Sequence, residues 1–358
     1  MTEDWRHATA RHERELLDLA AQFHALPEPA YRERRTVGVW AQFAARHRLL
    51  YTTALDGGAP MISLGDDRRA DTRIVLTADL DAMGIARGNE VQWRHLCGHH
   101  AQSTAVLGAL LLLSAVGLPQ GLVVTGVGCP AEECMPAFAA DCDIPFIPGK
   151  ARLLSDGVFS RTTAVLSVHL ADALPRRAAI VAHGAHGGLW LRIPTAHPAS
   201  LVQDAAARIL GGCAIALSTV PFSASEYDLV IETAPHAGES VPRAMQVIAA
   251  LHKDGVAAKL VAEYAPLIHE ETLRKLARRV IDGDREPVER LDALWLEGMT
   301  DLGDVSQRIP TLQVFVGGTT GVTHQPSFRV TDPGFSYVWP SWFLARMALA
   351  VHAATVKE

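Results

Sequence analysis

The stretch AQSTAVLGALLLLSAVG, residues 101–117, constrains the fold more than any other segment of the chain. It reads as a helix whose apolar residues fall almost all the way round rather than along one stripe. Such a helix has no face to offer water, so it is expected to be buried on every side. The most apolar run, Ala105 to Leu118, is only 14 residues long and contains Gly108 and Ser114. Crossing a bilayer takes about 20. The solution left is a helix enclosed within a layered fold.

The segments around it fit that solution. TRIVLTADLDAM (72–83), QGLVVTGVG (120–128), TTAVLSVHL (162–170) and TLQVFVGG (311–318) read as buried strands, and 3–24, 35–49 and 335–355 as helices. Strands alternating with buried helices predict an α/β layered domain. Polar and charged residues collect just after the strand ends, where open α/β sheets place their ligand crevices. From about Arg176 the texture changes. GGLWLRIPT, YDLVIETA and AAKLVAEYA read as strands, with helices at 200–219 and 241–253. This predicts an inserted α+β domain over 179–292 that interrupts a discontinuous catalytic domain formed by 1–178 and 293–358.

Composition narrows the function classes. Of 358 residues, 49% are hydrophobic and 20% charged, which suits a dry core and argues against disorder. The formal net charge is -6 and no basic run is interleaved with aromatics, so nothing favours nucleic acid. The opening MTEDWRHATARHERELLDLA is charged and amphipathic and lacks an apolar signal core. A cytoplasmic protein with no membrane partner is the expectation. The five cysteines are Cys97, Cys129, Cys134, Cys142 and Cys213, an odd number that argues against a disulfide framework. Most are expected to be small buried hydrophobes, but Cys97 has polar company.

Four stations at strand–helix junctions carry potential chemistry: HLCGHH (95–100), CPAEE (129–133), SVHL (167–170) and GVTHQP (321–326). Together they offer Cys97, His99, Glu133, His169 and His324. Thiolate, imidazole and carboxylate are the donors that hold zinc or a neighbouring divalent metal. Five donors exceed the usual three or four of one site, which suggests a two-metal centre. Each station alone is weak. The chain has 16 histidines, so a lone one at a strand end is more often structural, and adjacent glutamates more often face solvent. Glu132 and Glu133, however, follow an apolar strand and Pro130 with apolar sequence on both sides. Two carboxylates there need a charge partner, which a metal would supply.

TADLDAMGI, HLCGHHAQSTAVLGAL, PAEE, SVHL, GMTDLGDVSQRIPTLQ and THQPSF occur in the order seen in the metal-dependent amidohydrolases of the aminoacylase type, which the chain resembles over residues 75–330. That group includes hippurate hydrolase, plant auxin-amino-acid conjugate hydrolases and aminobenzoyl-glutamate hydrolase, and TDLGDVSQRIPTLQ looks closest to the last. The resemblance implies a paired-metal catalytic domain with an inserted lid that often dimerises. It places the metal ligands on Cys97, His99, Glu133, His169 and His324, with Cys97 as a bridging thiolate and Glu132 as general base. Asp79 and Asp81 match its Asp-x-Asp and are expected to orient a ligand.

Departures from the pattern concern substrate. His100 stands where the family usually has Asp, and Gln102 where a second His is frequent; His100 is expected to line the pocket. The lid motif matches PTAHPAS, giving His197 a role at the substrate, with a shorter gap to Asp204. The lid Asn falls near His236 and Glu239 in HAGESVP, and the following Arg is replaced by ALHKDG. The expected activity is hydrolysis of a C–N amide bond in a small N-acyl or aminobenzoyl amino acid, with two divalent ions as cofactor. Zinc or manganese is expected, and cobalt or nickel would also fit. The rivals are a hydrolytic deaminase of an aryl or heteroaryl amine and a non-catalytic metal- or ligand-binding protein. A homodimer through residues 179–292 is expected, with Trp190 and Leu191 of GGLWLRIPT on an edge strand.

Overall fold

The computed structural model describes residues 3–87, 90–133, 145–211, 214–221, 223, 225–233, 244–284 and 286–356. The chain begins with α1 (Glu3–His24), α2 (Arg34–His47) and a hairpin of β1 (Leu50–Ala54) and β2 (Ala59–Leu64). β3 (Thr72–Asp79), a small pair β4 (Met83–Arg87) and β5 (Glu90–Arg94), α3 (His99–Val116), β6 (Leu122–Cys129), α4 (Gly149–Ser155) and β7 (Ala164–Leu170) follow. The long β8 (Ala178–Pro194) leads into α5 (Ala199–Leu210), β9 (Ala214–Pro221), β10 (Glu226–Thr233), α6 (Ala244–Lys253) and β11 (Lys259–Tyr264). The return runs through β12 (Leu267–Ile268), α7 (Glu271–Asp282), β13 (Glu289–Met299), α8 (Leu302–Ser306) and β14 (Thr311–Val316). A short pair, β15 (Thr319–Thr320) with β16 (Arg329–Val330), precedes α9 (Trp339–Thr355).

Among the described residues the main sheet runs β1-β2-β6-β3-β7-β14-β8-β10-β9. β6, β3, β7 and β14 are mutually parallel. Their carboxyl ends therefore share one edge, with Asp79 level with Cys129 and His169 level with Phe315. The strands are buried on both faces, as near-continuous apolar runs require. α3 lies on one face of this sheet, and every residue from His99 to Leu113 is buried. Its apolar window is 83% enclosed by the protein, so its length and composition reflect a core helix. α9 crosses it closely at Gly108, where an added Cβ would sit 2.2 Å from Ser341 Oγ.

Two expectations about the insert change. The helix expected over 200–219 stops at Leu210, and 214–221 instead forms β9 against β10. Gly211 leaves the helical region (φ 55, ψ -130), and the β-branched, alternating AIALSTVP then suits an extended ladder. Trp190 and Leu191 are not on an edge: Trp190 pairs with Val230 of β10 on one side and Ala262 of β11 on the other. The two neighbours leave no backbone donor or acceptor row free on β8 there, and β9 and β11 form the borders instead.

A separate apolar core joins Leu189, Leu191 and Ile193 to α5, β10, α6 and Ala258. α7, inside the expected 179–292 range, packs Leu273, Ala277 and Ile281 into the first core with α9. β13 likewise runs parallel to the first half of β8. Among the described residues the buried members of the second core run from Leu189 to Ala258.

Candidate metal centre

The centre forms where the parallel strands end and α3 begins. Between Cys97 and His99 the chain turns at Gly98 with φ 104, a left-handed conformation that glycine adopts freely. An added Cβ there would also come 3.0 Å from Cβ of Leu170. This turn puts the Cys97 thiol and the His99 ring on the same side of the sheet edge. Cys97 Sγ lies 3.3 Å from His169 Nε2 at the end of β7 and 3.2 Å from His324 Nε2. His169 is oriented by a 2.8 Å contact from Nδ1 to the carbonyl of Leu170. His324 sits in a turn at φ 64, anchored by its N–H donating to Leu96 O at 2.9 Å and by Thr323 N–H donating to Asp172 Oδ1 at 2.7 Å.

Asp81 organises the second half of the site. His99 Nδ1 is 2.9 Å from the Asp81 carbonyl and 3.2 Å from its Oδ1, which turns Nε2 towards the glutamates. Oδ2 of the same carboxylate accepts the Glu133 N–H at 2.9 Å. His99 Nε2 then stands 3.7 Å from Glu132 Oε2 and 3.9 Å from Glu133 Oε1, and His324 Nε2 is 3.5 Å from Glu133 Oε1.

The PAEE turn is held from three directions. Ala131 has φ 56, and its N–H donates to buried Glu33 Oε1 at 2.8 Å. Gly149 N–H donates to Ala131 O at 3.1 Å, and Tyr264 Oη donates to Glu132 O at 3.1 Å.

The donor atoms fit a pair of divalent ions. Cys97 Sγ belongs to two compact donor sets, one with His99 and His169 and one with Glu133 and His324, each with its atoms within 4.8 Å of one another. His99, Glu132 and Glu133 make a third. His99 Nε2 and Glu133 Oε1 are buried with no hydrogen-bond partner. Native interiors rarely leave such atoms unsatisfied, and a cation between them is the partner both lack. Burial would raise the Cys97 thiol, but His169, His324 and His99 around it bring it well below its ordinary range. The donor is therefore a ready thiolate. Burial pushes Glu133 up to about 8 and Glu132 well above the usual carboxylate range, Glu133 and Asp79 adding to the rise in Glu132.

Not every expected residue reaches the centre. Asp79 turns the other way, to the buried ammonium of Lys150, and its N–H donates to Gln102 Oε1 at 2.6 Å. Orientation of a donor thus falls to Asp81. His100 points away from the cavity: its Nε2 is 3.0 Å from Tyr337 Oη, and its ring packs 4.8 Å from His24 and 5.3 Å from His95. Consecutive residues on a helix diverge by about 100°, so one at the metal edge sends the next elsewhere. His197 lies before α5, where Nε2 accepts the Ala257 N–H at 3.4 Å, and does not line the cavity. His236 and Glu239 lie outside the described residues.

Sequence reasoning missed the support beneath the site. Lys150, 1% exposed, contacts both Asp79 Oδ1 and Asp301 Oδ1, and its N–H donates to Asp301 Oδ2 at 2.7 Å. A lysine inside the apolar stretch IPGKARLL was the available signal. Glu33 and Tyr264 carried none. A cavity of about 450 Å³ opens from Cys97, Glu132, Glu133, His169 and His324 along β14, β8 and β13, past Gln313, Phe315 and Trp295.

No family model matches the chain. Among curated proteins, a stretch of 144 residues, 38% of this chain, is 31% identical to a candidate glutamate–cysteine ligase 2-3 of Rhodococcus jostii (strain RHA1). The match spans only 18% of that protein's length. Solved structures match nearly end to end. The Bacillus subtilis YXEP protein, described as a dinuclear metal-binding peptidase of the M20 family, is 17% identical with a TM-score of 0.69, covering 96% of this chain and 98% of that one. An aminobenzoyl-glutamate utilization protein from Klebsiella pneumoniae is 13% identical with a TM-score of 0.64, covering 96% and 97%. A hydantoinase/carbamoylase family amidase from Burkholderia multivorans is 15% identical with a TM-score of 0.58, covering 96% and 98%. The chain shares the α/β fold of these proteins.

Proposed function

We propose that the protein is a metal-dependent hydrolase that cleaves a C–N amide bond in a small molecule. The observation that carries this reading is the Cys97 thiol within 3.3 Å of two imidazoles and common to two donor sets, with Glu132 beside it at the head of an open cavity. Cys97, His99, His169, Glu133 and His324 would hold two divalent ions. A shared thiolate favours zinc over manganese. When bound, the ions supply Lewis-acid polarisation of the carbonyl and a water of lowered pKa.

The chain's own residues do the proton work. Glu132 accepts a proton from the attacking water as oxygen bonds to the carbonyl carbon. It then delivers that proton to the departing nitrogen as the C–N bond breaks. Glu133 Oε1 stands 3.5 Å from His324 Nε2 as well as near His99. The turn that carries both carboxylates is pinned on two sides: Tyr264 holds the Glu132 carbonyl, and Asp81 holds the Glu133 N–H. The protein names attached to the shared fold, a dinuclear metal peptidase, an aminobenzoyl-glutamate protein and an amidase, support the same bond class. The ligase name of the curated relative belongs to a far longer chain, of which the match spans 18%.

The test is elemental analysis of the purified protein, followed by assay of the metal-reconstituted enzyme on N-acyl amino acids, aminobenzoyl-glutamate and aminoaryl acids. Metal in the wild type that is lost in Cys97→Ser, with amide hydrolysis lost in Glu132→Gln, supports the reading. Absence of metal, or ammonia release confined to aminoaryl acids, overturns it.

A further inference from the structure

The cavity continues well beyond the metal donors, and its chemistry there is uneven. Leu170, Ile180, Leu296, Met299 and Phe315 make an apolar lining. Its charged side chains are Glu132, Glu133, Asp172 and Glu297 besides the imidazoles, and among the described residues no lysine or arginine lines it. Three of those carboxylates are committed. Glu132 and Glu133 face the metal centre, and Asp172 accepts the Thr323 N–H at 2.7 Å to hold the His324 turn. Glu297 remains, exposed, with no hydrogen-bond or ion-pair partner among the described residues.

Glu297 follows Trp295 by two residues on β13, where the pairing with β8 shifts register between Leu296 and Met299, and both side chains line the cavity. Trp295 pairs with Gly184 of β8, where an added Cβ would lie 2.6 Å from Cζ3 of the indole. The glycine thus lets the indole settle close to the sheet beside the cavity. An indole and a free carboxylate lining one cavity can together receive an ammonium on an apolar stem. A substrate carboxylate in the same place would meet Glu297 with no cation to compensate.

We infer that this cavity selects an amide carrying a positively charged amine, rather than a free carboxylate, on the apolar half that lies along Trp295 and Glu297. The inference rests on the hydrolase reading and names its substrate class. A volume of about 450 Å³ suits a molecule the size of a substituted benzoyl amide.

The test uses the zinc-loaded full-length protein and two matched series. One is N-benzoylglycine with a para aminomethyl, methyl or carboxylate group. The other places the same three groups on the aniline of an acetanilide, so that either half of the amide can occupy the β13 end. In at least one series the aminomethyl compound should exceed the carboxylate compound in kcat/KM by tenfold or more. Glu297→Gln should cut that ratio by about tenfold, and Glu297→Lys should invert it. Calorimetric binding of para-aminomethylbenzamide is measured in parallel and should weaken by a similar factor in Glu297→Gln. Preference for carboxylate in both series, or equal ratios and equal binding in the Glu297 variants, overturns the inference. Binding that depends on Glu297 without turnover of any compound would sustain the cation subsite and defeat the hydrolase reading instead.

Discussion

Replacing Lys150 with Met removes one buried ammonium and leaves Asp79 and Asp301 facing each other across its place. Both carboxylates touch the same Nζ, and all three side chains are at most 2% exposed. Breaking a buried ion pair by deleting one partner costs roughly 3–5 kcal/mol, because the charge left behind has neither water nor a counter-ion. With a urea m-value near about 3 kcal/mol/M, the unfolding midpoint of Lys150→Met should fall by about 1–1.7 M. The loss should depend on pH. Burial raises Asp301 to about 6 even though Lys150 draws it down. Without the lysine it rises further. A carboxyl whose folded pKa exceeds its unfolded value takes up a proton on folding, so its stability contribution is present at low pH and lost as pH rises. Above pH 6 only the variant is still in that window. The gap between variant and wild type should therefore widen by about 1.4 kcal/mol per pH unit from pH 6 towards neutrality. Adding Asp79→Asn and Asp301→Asn to Lys150→Met should recover most of the stability. Urea melts followed by circular dichroism at pH 6, 7 and 7.5 measure all of this. A midpoint within 0.3 M of wild type, on the scale of about a third of the smallest expected shift, or a gap that does not change with pH, would refute the ionic account of this cluster.

Cys97→Ser and Glu133→Gln should each lose most bound metal by elemental analysis, and added zinc should partly restore activity to Glu133→Gln. Glu132→Gln should keep its metal while turnover falls by about a hundredfold or more, the scale of a positioned acid–base group; excess zinc should not rescue it. Burial, aided by His99, lowers His95 to about 4. A depressed histidine contributes stability above its unfolded pKa near 6.5 that is lost as pH falls, here about 3 kcal/mol between pH 6.5 and 4; acid melts of His95→Gln should be correspondingly flatter. Gly108→Ala should lower Tm, because overpacking against Ser341 and Leu16 costs about 1–3 kcal/mol and exceeds the helix-propensity gain of about 1 kcal/mol.

The parts legible in the sequence were those that a single segment carries. α3 and the parallel strands are local apolar patterns, and Cys97, His99, His169 and His324 follow strand ends whose position a reader can place. These residues do converge, with Cys97 between two of the imidazoles. What escaped notice depends on pairs distant in the chain. Lys150 and Asp301 are 151 residues apart, and Glu33 meets Ala131 across 98. Neither partner has a pattern of its own. His100 misled because adjacency in sequence to a metal-facing residue implies divergence on a helix, not company. Trp190 misled because an apolar strand sequence does not say whether it has one neighbour or two.

β8 is one uninterrupted strand of 17 residues that serves two cores in turn. Its first half pairs with β13 and β14, its second with β10 and β11. The changeover falls at Gly184, Gly187 and Gly188, where added Cβ atoms would strike Leu267 O, Pro266 and Met299. Such a strand transmits phase. Inserting or deleting a single residue within 184–188 would send every side chain downstream to the opposite face, turning Leu189, Leu191 and Ile193 out of their core while the first half of the strand stayed intact. Length changes at this junction are thus tolerable only in steps of two, and the smaller unit can be exchanged between relatives only where the parity of β8 is kept.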